Sequence, residues 1–401
     1  VVNLVVTDIG QLVTNDEMRG GLLGVVTAAA VAIEGDTIVW VGAEADLSDE
    51  YRTYETLSAE GGAVLPGFVD AHTHAVFAGD RAGEFSQRLA GARYDEILAD
   101  GGGIHSTVEA TRAASLDALV AFSLPRISRM LKSGTTTIEI KTGYGLDIAT
   151  EIKMLDAMEH IQETLAIDIV ATFLGAHVPP REFVDDVDGY VDLVAGEMLD
   201  AAADRVSFVD VFCDDNAFTV DETRTIAQAA ARHGIALRLH VDQFSRSGGA
   251  ALAAELGATA ADHIDYASDE DLAALAASGT VAVLLPGVSY SMHEPAPDGR
   301  RVWDSGVPVA IATDCNPGTS YIETMPFIVS LAAVTSGLTV EEAIWAATRG
   351  GALALALPDR GLLAPGQRAD LVILDAPTYD HLPYRPDANL VVDVISAGTH
   401  L

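Results

Sequence analysis

Two histidines two residues apart, His72 and His74, close the stretch Leu65-Pro66-Gly67-Phe68-Val69-Asp70-Ala71-His72-Thr73-His74. The proline and glycine make a turn, and the apolar residues after them open a strand on which alternate side chains share a face. Two imidazoles on one face can share a divalent cation, and imidazole suits zinc, iron and nickel alike. Further polar residues fall at the ends of later strand-like runs: His177, His240, His263 and Asp314. Three neutral imidazoles and one carboxylate around a cation leave a position open for water, whose pKa drops from about 15.7 towards about 7 in such a site. Asp314 can take the proton, and His263 can orient the nucleophile or polarise a carbonyl. That is chemistry for hydrolysing a C–N bond. Phosphate chemistry is not expected, because no strand leads into a Gly-rich phosphate loop.

Residues that far apart in sequence need a frame that brings strand ends together. Strand-like runs end at His74 and recur at 135–140, 167–174, 207–212, 236–240, 259–263, 281–285 and 308–314. Helical patterns lie between them at 116–132 (with Pro125 expected to bend the helix), 150–164, 190–203, 219–233, 249–256 and 269–278. Residues 75–115 read as a long loop. Eight strands alternating with helices predict an α/β fold, a (β/α)8 barrel of the TIM type, whose functional residues gather at the carboxyl ends of the strands. The barrel is expected over 65–361. Short β-type runs at both ends of the chain predict a small β domain composed of 1–64 and 362–401.

The charge balance excludes several partners. Against 23 basic residues stand 59 acidic ones, a net charge of −36, and lysine occurs only at positions 132, 141 and 153. Such a chain repels nucleic acid and anionic membranes, and no apolar run reaches the roughly 18 residues of a membrane helix. Two cysteines, Cys213 and Cys315, make no disulfide framework, and the first residues read as a strand without a basic leader, so a cytoplasmic location is expected. Acidic residues spread along a patterned, lysine-poor sequence suit concentrated salt, where the Debye length shrinks to about 3 Å at 1 M and self-repulsion is screened. The melting temperature is therefore expected to rise steadily from dilute buffer to molar potassium chloride. A flat response across that range removes the halophile reading.

Several blocks are more specific than any of these patterns. The stretch 66–74 with His240, His263 and Asp314 resembles the amidohydrolase superfamily. Phe77-Ala78-Gly79-Asp80-Arg81-Ala82-Gly83-Glu84-Phe85, Gly101-Gly102-Gly103-Ile104-His105-Ser106-Thr107 and Glu139-Ile140-Lys141-Thr142-Gly143-Tyr144-Gly145-Leu146 resemble, within it, the imidazolonepropionase family. So do Thr172-Phe173-Leu174-Gly175-Ala176-His177-Val178-Pro179-Pro180 and Thr313-Asp314-Cys315-Asn316-Pro317-Gly318-Thr319. The resemblance implies hydrolysis of the cyclic amide of 4-imidazolone-5-propanoate to N-formimidoyl-L-glutamate, the third step of histidine degradation. It implies His72, His74, His240 and Asp314 as ligands of one divalent or trivalent metal ion, zinc first and iron as the alternative. Arg81, Tyr144, His177, Asn316, Gly318 and Thr319 are implied to bind a small substrate carrying a carboxylate, and a homodimer is implied as the assembly.

The residue chemistry runs parallel to this. A propionate tail suits a guanidinium, whose fork matches a carboxylate bidentately; the competing reading of Arg81 is an ion pair with Glu84 three residues on. Gln243 stands three residues after His240, where some members of the family have glutamate. An amide can position substrate or water but cannot shuttle a proton, so proton transfer falls to Asp314 and His263, with Asp242 as the fallback. Lys141, at a strand end where binuclear relatives can carry a bridging modified lysine, is read as structural. Two rivals remain open: another amidohydrolase, such as a guanine-type ring deaminase, and a metal-binding protein that kept the barrel without activity.

Overall fold

The protein is described here from a computed structural model covering residues 3–91, 102–215 and 217–401; Gly101 of the glycine triplet lies outside them. Two sheets divide the described chain. In the first, β1 (Asn3–Leu12) pairs antiparallel with β2 (Val26–Glu34), which pairs with β3 (Thr37–Ala43). On its other edge β1 takes β4 (Glu55–Ser58) and β5 (Ala63–Pro66) in parallel. The carboxyl end of the chain completes this sheet with β14 (Leu371–Leu374) against β5, then β15 (Val391–Ser396) and β16 (Thr399–His400). Val6, Ile9, Leu12, Val31, Ile33, Val64, Leu371 and Ile395 form one buried cluster, so both termini share a core.

The second sheet is all parallel: β6 (Phe68–Asp70), β7 (Thr135–Lys141), β8 (Asp168–Ala176), β9 (Phe208–Cys213), β10 (Ala236–Val241), β11 (Ala260–His263), β12 (Val281–Leu284) and β13 (Val309–Ile311), each paired with the next. Helices cross between them. That of Val220–His233 starts in a capping box of Thr219 with Glu222 and stops at Gly234, and that of Asp269–Ser278 is likewise boxed by Ser268 with Asp271. β6 and β13 share no ladder. The barrel closes instead through the Asp314 N–H on the His72 carbonyl at 3.0 Å and the His74 N–H on the Cys315 carbonyl at 3.1 Å. The seam that shuts the barrel is made by the residues that could do chemistry.

Two expectations need correction. The stretch read as one loop, 75–115, contains the helices Ala82–Leu89 and Ile104–Ala113. The first buries none of its residues and the second only Thr107, Val108 and Thr111, and the glycines at 79, 83, 91 and 101–103 in and around them signal a loop in the sequence. The strand before the histidine pair ends at Asp70, not at His74. The pair still faces one way because Thr73 between them is drawn outward, its hydroxyl donating to the Glu139 carbonyl at 2.7 Å. The helix Leu116–Lys132 continues through Pro125 as one element.

Candidate metal centre

Strand order fixes which ends meet. His72 and His74 follow β6, His240 lies near the end of β10, His263 ends β11 and Asp314 follows β13. At the axis the His240 Nε2 is 3.4 Å from the His74 Nε2, and the Asp314 Oδ1 is 3.4 and 3.5 Å from the Nε2 atoms of His72 and His74. His263 and Asp314 turn inward with φ of +76° and +47°, a left-handed backbone that costs a non-glycine residue of order 1 kcal/mol or more and is concentrated at functional sites. All five side chains are buried.

The donor set fits a cation. The His72 Nε2 and the Asp314 Oδ1 are buried with no hydrogen-bond partner, which costs on the order of 1–3 kcal/mol per group unless something else satisfies it. Burial holds the imidazoles of His72, His74 and His240 well below the usual histidine pKa, so their ring nitrogens carry the lone pairs a metal needs. Burial also lowers His263 to about 3 and His177 to about 4, and pushes the Asp314 carboxyl well up.

Around the cluster a cavity of about 110 Å3 is lined by every substrate-binding residue expected from the sequence, Arg81, Tyr144, His177, Asn316, Gly318 and Thr319, together with Gln243 and His263. The His177 ring stacks on His74 at 5.0 Å and 17°, and Tyr144 lies 5.7 Å from the same ring. Tyr144 is presented by a loop that Glu151 ties down. That carboxylate accepts the N–H groups of Gly143, Gly145 and Leu146 at 2.8–3.1 Å. Gly143 has φ of +99°, and a Cβ there would sit 3.0 Å from the His177 Nδ1. Asn316 directs its amide to its own loop, donating to the Asp314 carbonyl at 2.7 Å and accepting the N–H groups of Gly318 and Thr319.

Arg81 makes the ion pair of the competing reading and also lies at the cavity. Its Nε donates to Glu84 at 2.8 Å, and the residue still borders the cavity, where a Cβ on Gly318 would stand 2.3 Å from its Nη1. The ion pair fixes one edge of the guanidinium and a glycine makes room for the other. The Asp242 fallback fails: its carboxylate accepts from the Ser247 hydroxyl and the N–H groups of 248–250, and it does not border the cavity. Lys141 buries its ammonium against Asp210 at 2.7 Å and Glu139 at 2.8 Å, so the oxygen donors of Asp210 and Asp262 already hold a cation of the chain's own. Sequence reasoning missed these carboxylates. An aspartate inside the apolar run Phe208-Val209-Asp210-Val211-Phe212 was the available signal.

The amidohydrolase family matches residues 63–401. The imidazolonepropionase of Salinispora arenicola is 47% identical over 398 residues, 99% of this chain and 98% of that protein. That of Streptomyces coelicolor is also 47% identical, covering 98% of both. The chain belongs to the imidazolonepropionase family. Among solved structures, an adenosine deaminase from Xanthomonas campestris with bound zinc superposes with a TM-score of 0.76 at 20% identity, over 100% of this chain and 92% of that one. The A. niger ochratoxinase gives 0.74 at 19%, over 100% and 95%. At those identities the likeness is of fold. Imidazolonepropionase membership and the donor set together assign a divalent cation to the cluster at the barrel mouth.

Proposed function

We propose that this chain hydrolyses the cyclic amide C–N bond of 4-imidazolone-5-propanoate, giving N-formimidoyl-L-glutamate in the third step of histidine degradation. The observation that carries the substrate is Arg81, a guanidinium held by Glu84 at the edge of a cavity that also borders His74, His240 and Asp314. The family relationship supports the reaction. A ring deaminase, whose substrate carries no propionate, has less reason for a guanidinium at that place.

His72, His74, His240 and Asp314 would hold the cation, which when bound supplies Lewis acidity that makes water nucleophilic near neutral pH. Arg81 takes the propionate tail, and Tyr144 and His177 hold the ring against the imidazole cluster. His263 donates towards the ring carbonyl as charge develops on its oxygen. Asp314 accepts the proton from the attacking water and returns it to the departing ring nitrogen, so that the added hydroxyl ends in the new carboxyl group and the C–N bond is broken. Gln243 orients water or substrate with its amide and leaves the proton on Asp314.

Zinc is the cation in this reading and iron the alternative, since three imidazoles and a carboxylate accept either. The zinc-bearing relatives of similar fold favour the first. The chain acts in the cytoplasm as a homodimer, which sedimentation of purified protein checks. The test of function is an absorbance assay on imidazolone propanoate with ammonia and metal content measured alongside. Ring opening without ammonia is expected. Ammonia released from a purine ring, with the imidazolone untouched, overturns the proposal.

A further inference from the structure

Beneath the imidazoles lies a set of charges that the reaction does not use. Glu139 and Lys141 on β7, Asp210 on β9, Arg238 on β10 and Asp262 on β11 are all wholly buried. The Lys141 ammonium lies 2.7 Å from the Asp210 Oδ2, 2.8 Å from the Glu139 Oε1 and 3.4 Å from the Asp262 Oδ2. The Arg238 Nη2 donates to both oxygens of Asp262 at 3.1 Å and to the Ala71 carbonyl at 2.7 Å, one residue before His72. Buried charge of this kind is costly to assemble, and apolar residues of similar volume are often as stable or more so. Stability alone does not account for it.

What the network touches suggests its purpose. The Asp262 Oδ2 lies 2.7 Å from the Nδ1 of His72. The Asp210 Oδ2 lies 2.9 Å from the Nδ1 of His240, close but off the line of a hydrogen bond, and its Oδ1 accepts the His240 backbone N–H at 3.1 Å. A neutral imidazole has one N–H and one lone pair, and a carboxylate at Nδ1 draws the hydrogen there and leaves the lone pair on Nε2. The Nε2 atoms are the ones that converge at the barrel axis.

We propose that Asp210 and Asp262 are positioning residues for the metal ligands His240 and His72, setting ring orientation and tautomer, with Lys141 and Arg238 holding the two carboxylates in place. The inference rests on the ligand assignment of His72 and His240. It is independent of which ring the enzyme opens.

The test is metal affinity of the full chain, measured by competition for zinc against a chromophoric chelator, together with the visible spectrum of the cobalt-loaded protein. Carboxylates behind metal-bound histidines typically contribute 10–100-fold in affinity. Asp210→Ala and Asp262→Ala are expected near the upper end of that range. Asp210→Asn and Asp262→Asn, which keep an acceptor oxygen, are expected near the lower end, about tenfold, with a shifted cobalt spectrum. A purely structural network would lower the melting temperature equally in all four and leave zinc affinity and spectrum unchanged. That outcome overturns the proposal. If the alanine forms do not fold, the asparagine forms decide: zinc affinity within twofold of the unaltered chain at both positions overturns it as well.

Discussion

His240→Ala is expected to give a folded chain that holds no cation and shows no measurable turnover. The His240 Nε2 lies 3.4 Å from that of His74, and its removal takes one of the three nitrogens from the cluster. Lewis-acid stabilisation is worth several kcal/mol, and at about 1.4 kcal/mol per factor of ten the rate should fall by about a thousandfold or more. The fold should survive, because Asp210, freed from its imidazole, keeps Lys141 at 2.7 Å. Elemental analysis and circular dichroism on the same preparation check both halves. Metal at the stoichiometry of the unaltered chain, in a folded His240→Ala protein, sinks the ligand assignment.

Arg81→Ala is expected to lose most of the enzyme's preference for a carboxylate-bearing substrate while keeping its metal. The Arg81 side chain is only 8% exposed, so a propionate meeting it is largely desolvated. Removing one partner of such a charge pair costs about 2–5 kcal/mol, or roughly 30- to 5,000-fold in kcat/KM. Arg81→Lys should recover part of this, because an ammonium keeps the charge without the fork. Gly318→Ala should act on the same contact with Arg81 still present: its Cβ falls 2.3 Å from the Nη1, and the guanidinium must shift. The deciding comparison sets the acid against its uncharged amide, in the unaltered enzyme and in Arg81→Ala. A preference that survives Arg81→Ala intact means that the carboxylate is read elsewhere and that Arg81 serves only its pair with Glu84.

The sequence by itself determined the barrel and much of its mouth. Strand-like runs alternating with helical patterns leave little other than a parallel sheet with crossovers, and polar residues at the ends of such runs, from His72 to Asp314, face one rim by the logic of that fold. The two helices within 75–115 were not read, because they bury almost nothing and the glycines at 79, 83, 91 and 101–103 in and around them signal a loop. Contacts between strands distant in the chain lay beyond reach for a different reason. Whether Arg81 pairs with Glu84 or borders the cavity is a question of where one guanidinium edge points, and only the packed loops show that it does both. Asp242 looked available from its spacing to His240, yet its carboxylate is taken up by the backbone of 248–250. Lys141, Arg238, Asp210 and Asp262 sit on four different strands, and local sequence does not encode which charge meets which. Strand register and barrel closure decide that, because ion pairing and histidine orientation depend on distances of a few ångströms between residues far apart in the chain, as the 190 positions between His72 and Asp262 show.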